Sequence, residues 1–177
     1  MRTILFLGRI LPILLVASHT GPSLAQAPNL DVKIEIRVLD FIAEPIGRSD
    51  VAVLYDRDVA GSMADALQIV KAFDDSLGLA RSKLLPKLVE LHALPQEAGL
   101  KAVVVGRNIA DPHDDILRYG IANRTLVMSA GLDCVRNRHC MVGVAASPEP
   151  EIGVMSDIIR RSGIRFADGL QLMVKEY

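Results

Sequence analysis

The two cysteines of this 177-residue chain, Cys134 and Cys140, stand six positions apart, with His139 beside the second. In an oxidising compartment an even cysteine count is most simply one disulfide. Closing so short a loop stabilises by roughly 2 kcal/mol, enough to shape a loop rather than to hold a fold. A redox-responsive switch is the functional alternative to that inert staple. Zinc would need a third and a fourth ligand, and no CxxC or HxxxH spacing supplies them, so no metal site is expected. Asp111, His113, Asp114 and Asp115 gather acids round a histidine. A helix N-terminus attracts acids through its dipole whatever the function, so this cluster reads as a solvated helix start. His92 falls in an apolar run, as a locally hydrogen-bonded or pH-sensitive group. Gly61-Ser62, at a strand-to-helix junction, offers free backbone N–H groups to an anion, without the GxGxxG or GxxxxGK pattern of a nucleotide site. Ser62, Ser129 and Ser156 lack a GxSxG context and a paired histidine. These residues form no catalytic constellation, so the expectation is a protein that is not an enzyme and carries no cofactor.

The elements that must position these groups begin after residue 25. Arg2 and Arg9, an apolar run over 10–17 and Ser23-Leu24-Ala25 have the order of a cleaved signal peptide over 1–25, which predicts export to the periplasm. An uncleaved anchor is the competing reading, but the run is short for a span and is interrupted by Pro12 and Gly21-Pro22. Removing 1–25 takes away two bases and no acid, leaving 21 acids against 18 bases and a net charge of −3. No basic stripe in the sequence calls for nucleic acid or anionic lipid. The remainder, 26–177, is long enough for one core. Its wealth of Val, Ile, Leu and Ala without Trp suits buried parallel strands.

Residues 32–42 fit either an alternating strand or one helical face. Residues 51–55 read as a buried strand, followed by a helix whose Ser62 and Asp65 have capping-box spacing. That helix has Met63, Ala66, Leu67, Val70 and Phe73 on one face. Two further strands are expected at 89–94 and 102–105, then a helix opened by Asp111-Pro112. After strands at 125–128 and 141–145, the prolines at 148 and 150 turn the chain back into 151–155 as an antiparallel edge partner. A helix capped by Ser156-Asp157 and a short amphipathic helix through Leu170, Leu172 and Met173 close the chain. This alternation predicts a single three-layer α/β domain with a mostly parallel sheet.

Three stretches carry a family resemblance: Thr125-Leu126-Val127-Met128-Ser129, Met141-Val142-Gly143-Val144, and Gly163-Ile164-Arg165-Phe166-Ala167-Asp168-Gly169-Leu170. In these the C-terminal half resembles the YfiR-like family of periplasmic proteins, some of which also place a cysteine pair where 134–140 falls. Members open with an aromatic helix ending in Trp-Pro, which favours helix over 32–42; here Phe41 and Pro45 align, with Glu44 in place of the Trp. Ala167 replaces the signature serine. The resemblance implies a periplasmic repressor that binds the sensor domain of a membrane-bound diguanylate cyclase and restrains cyclic-di-GMP synthesis. Its partner would be that inner-membrane protein and not nucleic acid, with Phe41, Pro45, Phe166 and Leu170 at the contact and a homodimer compatible with the role. A different class fits the layout too: a small-solute-binding protein resembling one lobe of an ABC-transporter substrate-binding protein, since ligands sit at the carboxyl ends of such strands.

Overall fold

The computed structural model of the protein describes residues 28–43, 49–76, 78, 80, 83–110 and 113–177. The expected leader over 1–25, Pro45 and Asp111-Pro112 lie outside the described residues. The chain runs α1 (Pro28–Asp40), β1 (Ser49–Tyr55), α2 (Ser62–Ser76), β2 (Leu84–Glu90), a 3-10 turn (Leu91–Gln96) and β3 (Leu100–Val105). It continues with α3 (His113–Asn123), β4 (Leu126–Ala130), α4 (Asp133–Arg136), β5 (Val142–Ala145), β6 (Glu151–Val154), α5 (Ser156–Ser162), α6 (Asp168–Gln171) and β7 (Val174–Glu176). One seven-stranded sheet results, in the order β2-β1-β3-β4-β5-β6-β7. Every pair is parallel except β5–β6. This is the expected α/β architecture, with the antiparallel turn after the 148–150 prolines as read.

Because β1 to β2 steps one way along the sheet and β3 to β4 the other, right-handed crossovers put α2 and α3 on opposite faces. Helix α1 joins α2 and packs over β4 and β5, while α5 joins α3. Covered on both faces, Val51, Ala52, Val53 and Leu54 of β1, residues 102–105 of β3 and all of β4 are buried. That is why those segments are continuous apolar runs rather than alternations.

Four expectations are corrected. The strand expected over 89–94 is β2, which ends at Glu90; beyond it comes the 3-10 turn, where His92 is exposed rather than set in a strand. Pro86 is tolerated in β2 because β2 is an edge strand, where a missing ladder donor costs little. The capping box does not form: the Ser62 hydroxyl accepts the Asp56 N–H (2.8 Å), and the Asp65 carboxylate accepts the Arg107 N–H (2.9 Å). With Ser62 and Asp65 so engaged, α2 buries Ala66, Ile69, Ala72 and Phe73, and leaves Met63 and Leu67 in solvent. The closing amphipathic helix is one turn, α6, after which residues 174–176 pair with β6 as a seventh strand. Leu172, 90% exposed, and Met173 therefore sit on a bend and not on a packed helical face. The expectation of helix over 32–42 is met, with α1 starting earlier, at Pro28.

Candidate functional site

Where the strand order reverses, between β1 and β3, an open parallel sheet usually leaves its ligand crevice. Here Asp65 of α2 fills that place. A Cβ added at Gly106 would meet the Asp65 Oδ2 at 2.6 Å, so the glycine permits the carboxylate to reach the Arg107 N–H. The open space lies one strand further on, at the carboxyl ends of β3 and β4. It is a crevice of about 400 Å³ lined by Gly106, Arg107, Ser129, Ala130, Gly131, Asp133, Cys134, Asn137 and His139 among others.

Its cation is held from below. Asp31, in the first turn of α1, is buried; its Oδ2 accepts from the Arg107 guanidinium (2.9 Å) and its Oδ1 from the Ala146 N–H (2.9 Å). One carboxylate thereby ties the end of β3 to the end of β5. Arg107 remains about half exposed (47%) with further donors directed by its planar guanidinium. One helical turn on, Glu35 is fully buried and neither carboxyl oxygen has a hydrogen-bond partner. Burial, reinforced by the neighbouring Asp31 charge and opposed by Arg107, pushes its carboxyl up to about 8, so it is neutral at pH 7. Ser129 donates to the Val105 carbonyl (3.0 Å), which aligns β4 on β3 rather than arming a nucleophile.

Cys134 and Cys140 are paired as a disulfide with Cα atoms 5.5 Å apart, inside the range such a bond spans. The loop they close is not featureless: α4 occupies its start, Asp133 pairs with Arg136 (3.3 Å), and the His139 N–H donates to the Cys134 carbonyl (2.8 Å). Cys140 is anchored in the core while Cys134, Asn137 and His139 form a wall of the crevice. Asp114 and Asp115 are exposed in the first turn of α3, Asp115 on Arg118 (2.7 Å), as a solvated helix start would have them. Among the described residues, no three of His, Cys, Asp and Glu converge as metal ligands.

Phe41 is brought to Phe166 and Leu170, more than a hundred residues on in sequence, at the opposite corner. The Ala43 N–H donates to the Arg165 carbonyl (2.8 Å), the Ala167 N–H to the Phe41 carbonyl (2.7 Å), and Ile42 bridges Phe166. Phe166 and Leu170 line a groove of about 750 Å³ between α5, α6 and β7. Leu170 is buried and can form only its floor. Sequence reasoning missed Asp31, Glu35 and Arg107; the one available signal was two acids a turn apart inside an otherwise apolar helical face.

No protein-family model matches the chain, and neither does any curated protein. Solved structures do match. One, from Streptococcus pneumoniae, is described as an ABC domain in complex with L-Trp: TM-score 0.58, 9% identity, 82% of this chain and 60% of that one covered. A conserved domain protein from Vibrio cholerae O1 biovar El Tor matches with TM-score 0.61 and 10% identity, over 82% of this chain and 59% of its own. These likenesses show the fold, and the chain spans about 60% of the length of the structures it matches.

Proposed function

We propose that the chain is a small-solute-binding domain whose ligand is a zwitterion of amino-acid type, held in the crevice at the carboxyl ends of β3 and β4. The observation that carries this is the pairing of charge there: Arg107, fixed by buried Asp31, and Asp133 line one polar crevice, with Ser129, Asn137 and His139 between the roles of donor and acceptor. Arg107 suits a carboxylate and Asp133 an ammonium. A structural neighbour described as holding L-Trp supports the same ligand class. The function is binding without bond making or breaking, and its setting is the periplasm, reached through the leader read over 1–25.

Thermal denaturation with a panel of amino acids, L-Trp included, tests this. A ligand at 100 times its Kd stabilises the fold by about 2.7 kcal/mol, and Arg107→Gln and Asp133→Asn should each abolish the response. A flat response across the panel, or one that both variants retain, overturns the assignment.

A second reading is the YfiR-like regulator acting on an inner-membrane diguanylate cyclase. It is favoured by the clasp of Phe41–Ala43 backbone on Arg165–Ala167, which makes one surface from the end of the opening helix and the 163–170 stretch of the resemblance. Deleting the gene should then raise intracellular cyclic-di-GMP, and wild type but not a Phe166→Ala variant of equal abundance should restore it. Unchanged cyclic-di-GMP on deletion removes this reading.

A further inference from the structure

Seven cations among the described residues take part in no ion pair: Lys33, Lys83, Lys101, Arg124, Arg160, Arg161 and Arg165. In a chain of net charge −1, three of them line a single small cavity at the amino ends of β3 and β4. Lys101 comes from β3, Arg124 from the residue pair before β4, and Arg165 from the loop after α5, with Ile42, Gly163 and Ile164 completing the wall and no carboxylate among them. The cavity measures about 60 Å³. That is space enough for more than a single water, so a small oxyanion can enter between the three cations.

Arg124 is not there by default. Its backbone is left-handed (φ 53°), a conformation that Gly or Asn adopts far more readily. Its guanidinium donates to the Gly163 carbonyl (3.3 Å) and lies so close over Gly163 that an added Cβ would sit 3.0 Å from Nη2. The other left-handed arginine among the described residues, Arg138, has Asp157 as a partner at 2.9 Å; Arg124 has no carboxylate partner among them. Gly163, Ile164 and Arg165 are also a wall of the 750 Å³ groove lined by Ile159, Phe166 and Val174, and that volume is in the range of a small-molecule site.

The geometry points to a second binding site, for a soluble organic anion with a phosphate-type head and an apolar body: Lys101, Arg124 and Arg165 take the head, and the groove beside Phe166 takes the body. Bidentate arginines suit such an oxyanion. This inference does not rest on the solute-binding reading, whose crevice lies at the other ends of the same strands.

Calorimetry on the full chain tests it with three probes: inorganic phosphate, phenyl phosphate, and vesicles of phosphatidylglycerol against phosphatidylcholine. Phenyl phosphate should bind at least tenfold more tightly than inorganic phosphate. Arg124→Asn, which keeps the left-handed backbone, and Arg165→Gln should each weaken it tenfold or more with an unchanged melting temperature. Phe166→Ala should reduce phenyl phosphate affinity towards that of inorganic phosphate, and Arg107→Gln should leave it intact. The inference is overturned by equal binding of the two phosphates, by full binding in Arg124→Asn and Arg165→Gln, or by binding to anionic vesicles alone. Loss of phenyl phosphate binding in Arg107→Gln would place the anion in the crevice, which sinks this site and leaves the first one standing.

Discussion

The two ends of the parallel strands treat their arginines in opposite ways. At the carboxyl ends, Arg107 has its side chain on Asp31 and its backbone N–H on Asp65, with Glu35 kept neutral beneath. At the amino ends, among the described residues, Arg124 meets only a backbone carbonyl, and Lys101 and Arg165 have no carboxylate partner. Under the proposed function, the first arrangement orients one cation for a ligand that brings both signs of charge. The second gathers positive charge that only an anion neutralises. A single sheet can thus offer two chemistries because its helices deliver acids to one edge and withhold them from the other.

Glu35 offers the strongest way to disturb the carboxyl-end arrangement. Its carboxyl keeps a proton in the fold up to about pH 8, against 4.5 ordinarily, so folding binds a proton across that window. Stability should fall as pH rises from about 4.5 to about 8 and be level on either side. At about 1.4 kcal/mol per pKa unit the loss reaches at most about 5 kcal/mol. Urea denaturation at several pH values should show this slope in wild type and its disappearance in Glu35→Gln. Asp31→Ala comes next: it strands the buried Ala146 N–H and frees Arg107, costing about 2–4 kcal/mol. It should also bring the Glu35 window to lower pH by removing the neighbouring charge, while phenyl phosphate binding at the other edge persists. Reducing the Cys134–Cys140 bond, or replacing both residues by Ala, should cost about 2 kcal/mol and weaken any crevice ligand through the displaced wall. Gly163→Ala is the mildest and acts on the other edge. Its left-handed backbone (φ 75°) and the overlying Arg124 make Ala unfavourable by about 1 kcal/mol, with anion binding impaired and the crevice untouched. Equal effects of Asp31→Ala and Gly163→Ala on both ligands would dissolve the contrast between the two edges.

The fold was legible where burial is two-sided. Residues 51–55 and 102–105 announce covered parallel strands by being apolar throughout, and the prolines at 148 and 150 mark the turn that makes β6 antiparallel. Strand β2 starts at Leu84, ahead of the expected 89, because an edge strand tolerates Pro86 within it. Three-residue β7 has no periodicity to detect. The sites were mostly illegible for a different reason. Acids at 31 and 35 on a helix read as a solvated stripe; only the packing of α1 over β4 and β5 turns them inward, toward an arginine 76 residues away. Lys101, Arg124 and Arg165 lie in three separate elements, and nothing in their local sequence says they converge. The cysteine pair was legible because an even cysteine count behind an export signal is most simply one disulfide.

The bond from the Ala146 N–H to Asp31 joins residues 115 positions apart. A chain threading out N-terminus first therefore presents α1, with Asp31, Glu35 and a stripe of apolar residues, long before β5 exists to receive it. At about 5–20 residues per second that wait is roughly 6–23 s. Such distant pairings also slow folding by the loop that must close before any contact is gained. The opening helix is thus expected among the last elements to acquire protection from hydrogen exchange, and among the first that a chaperone meets.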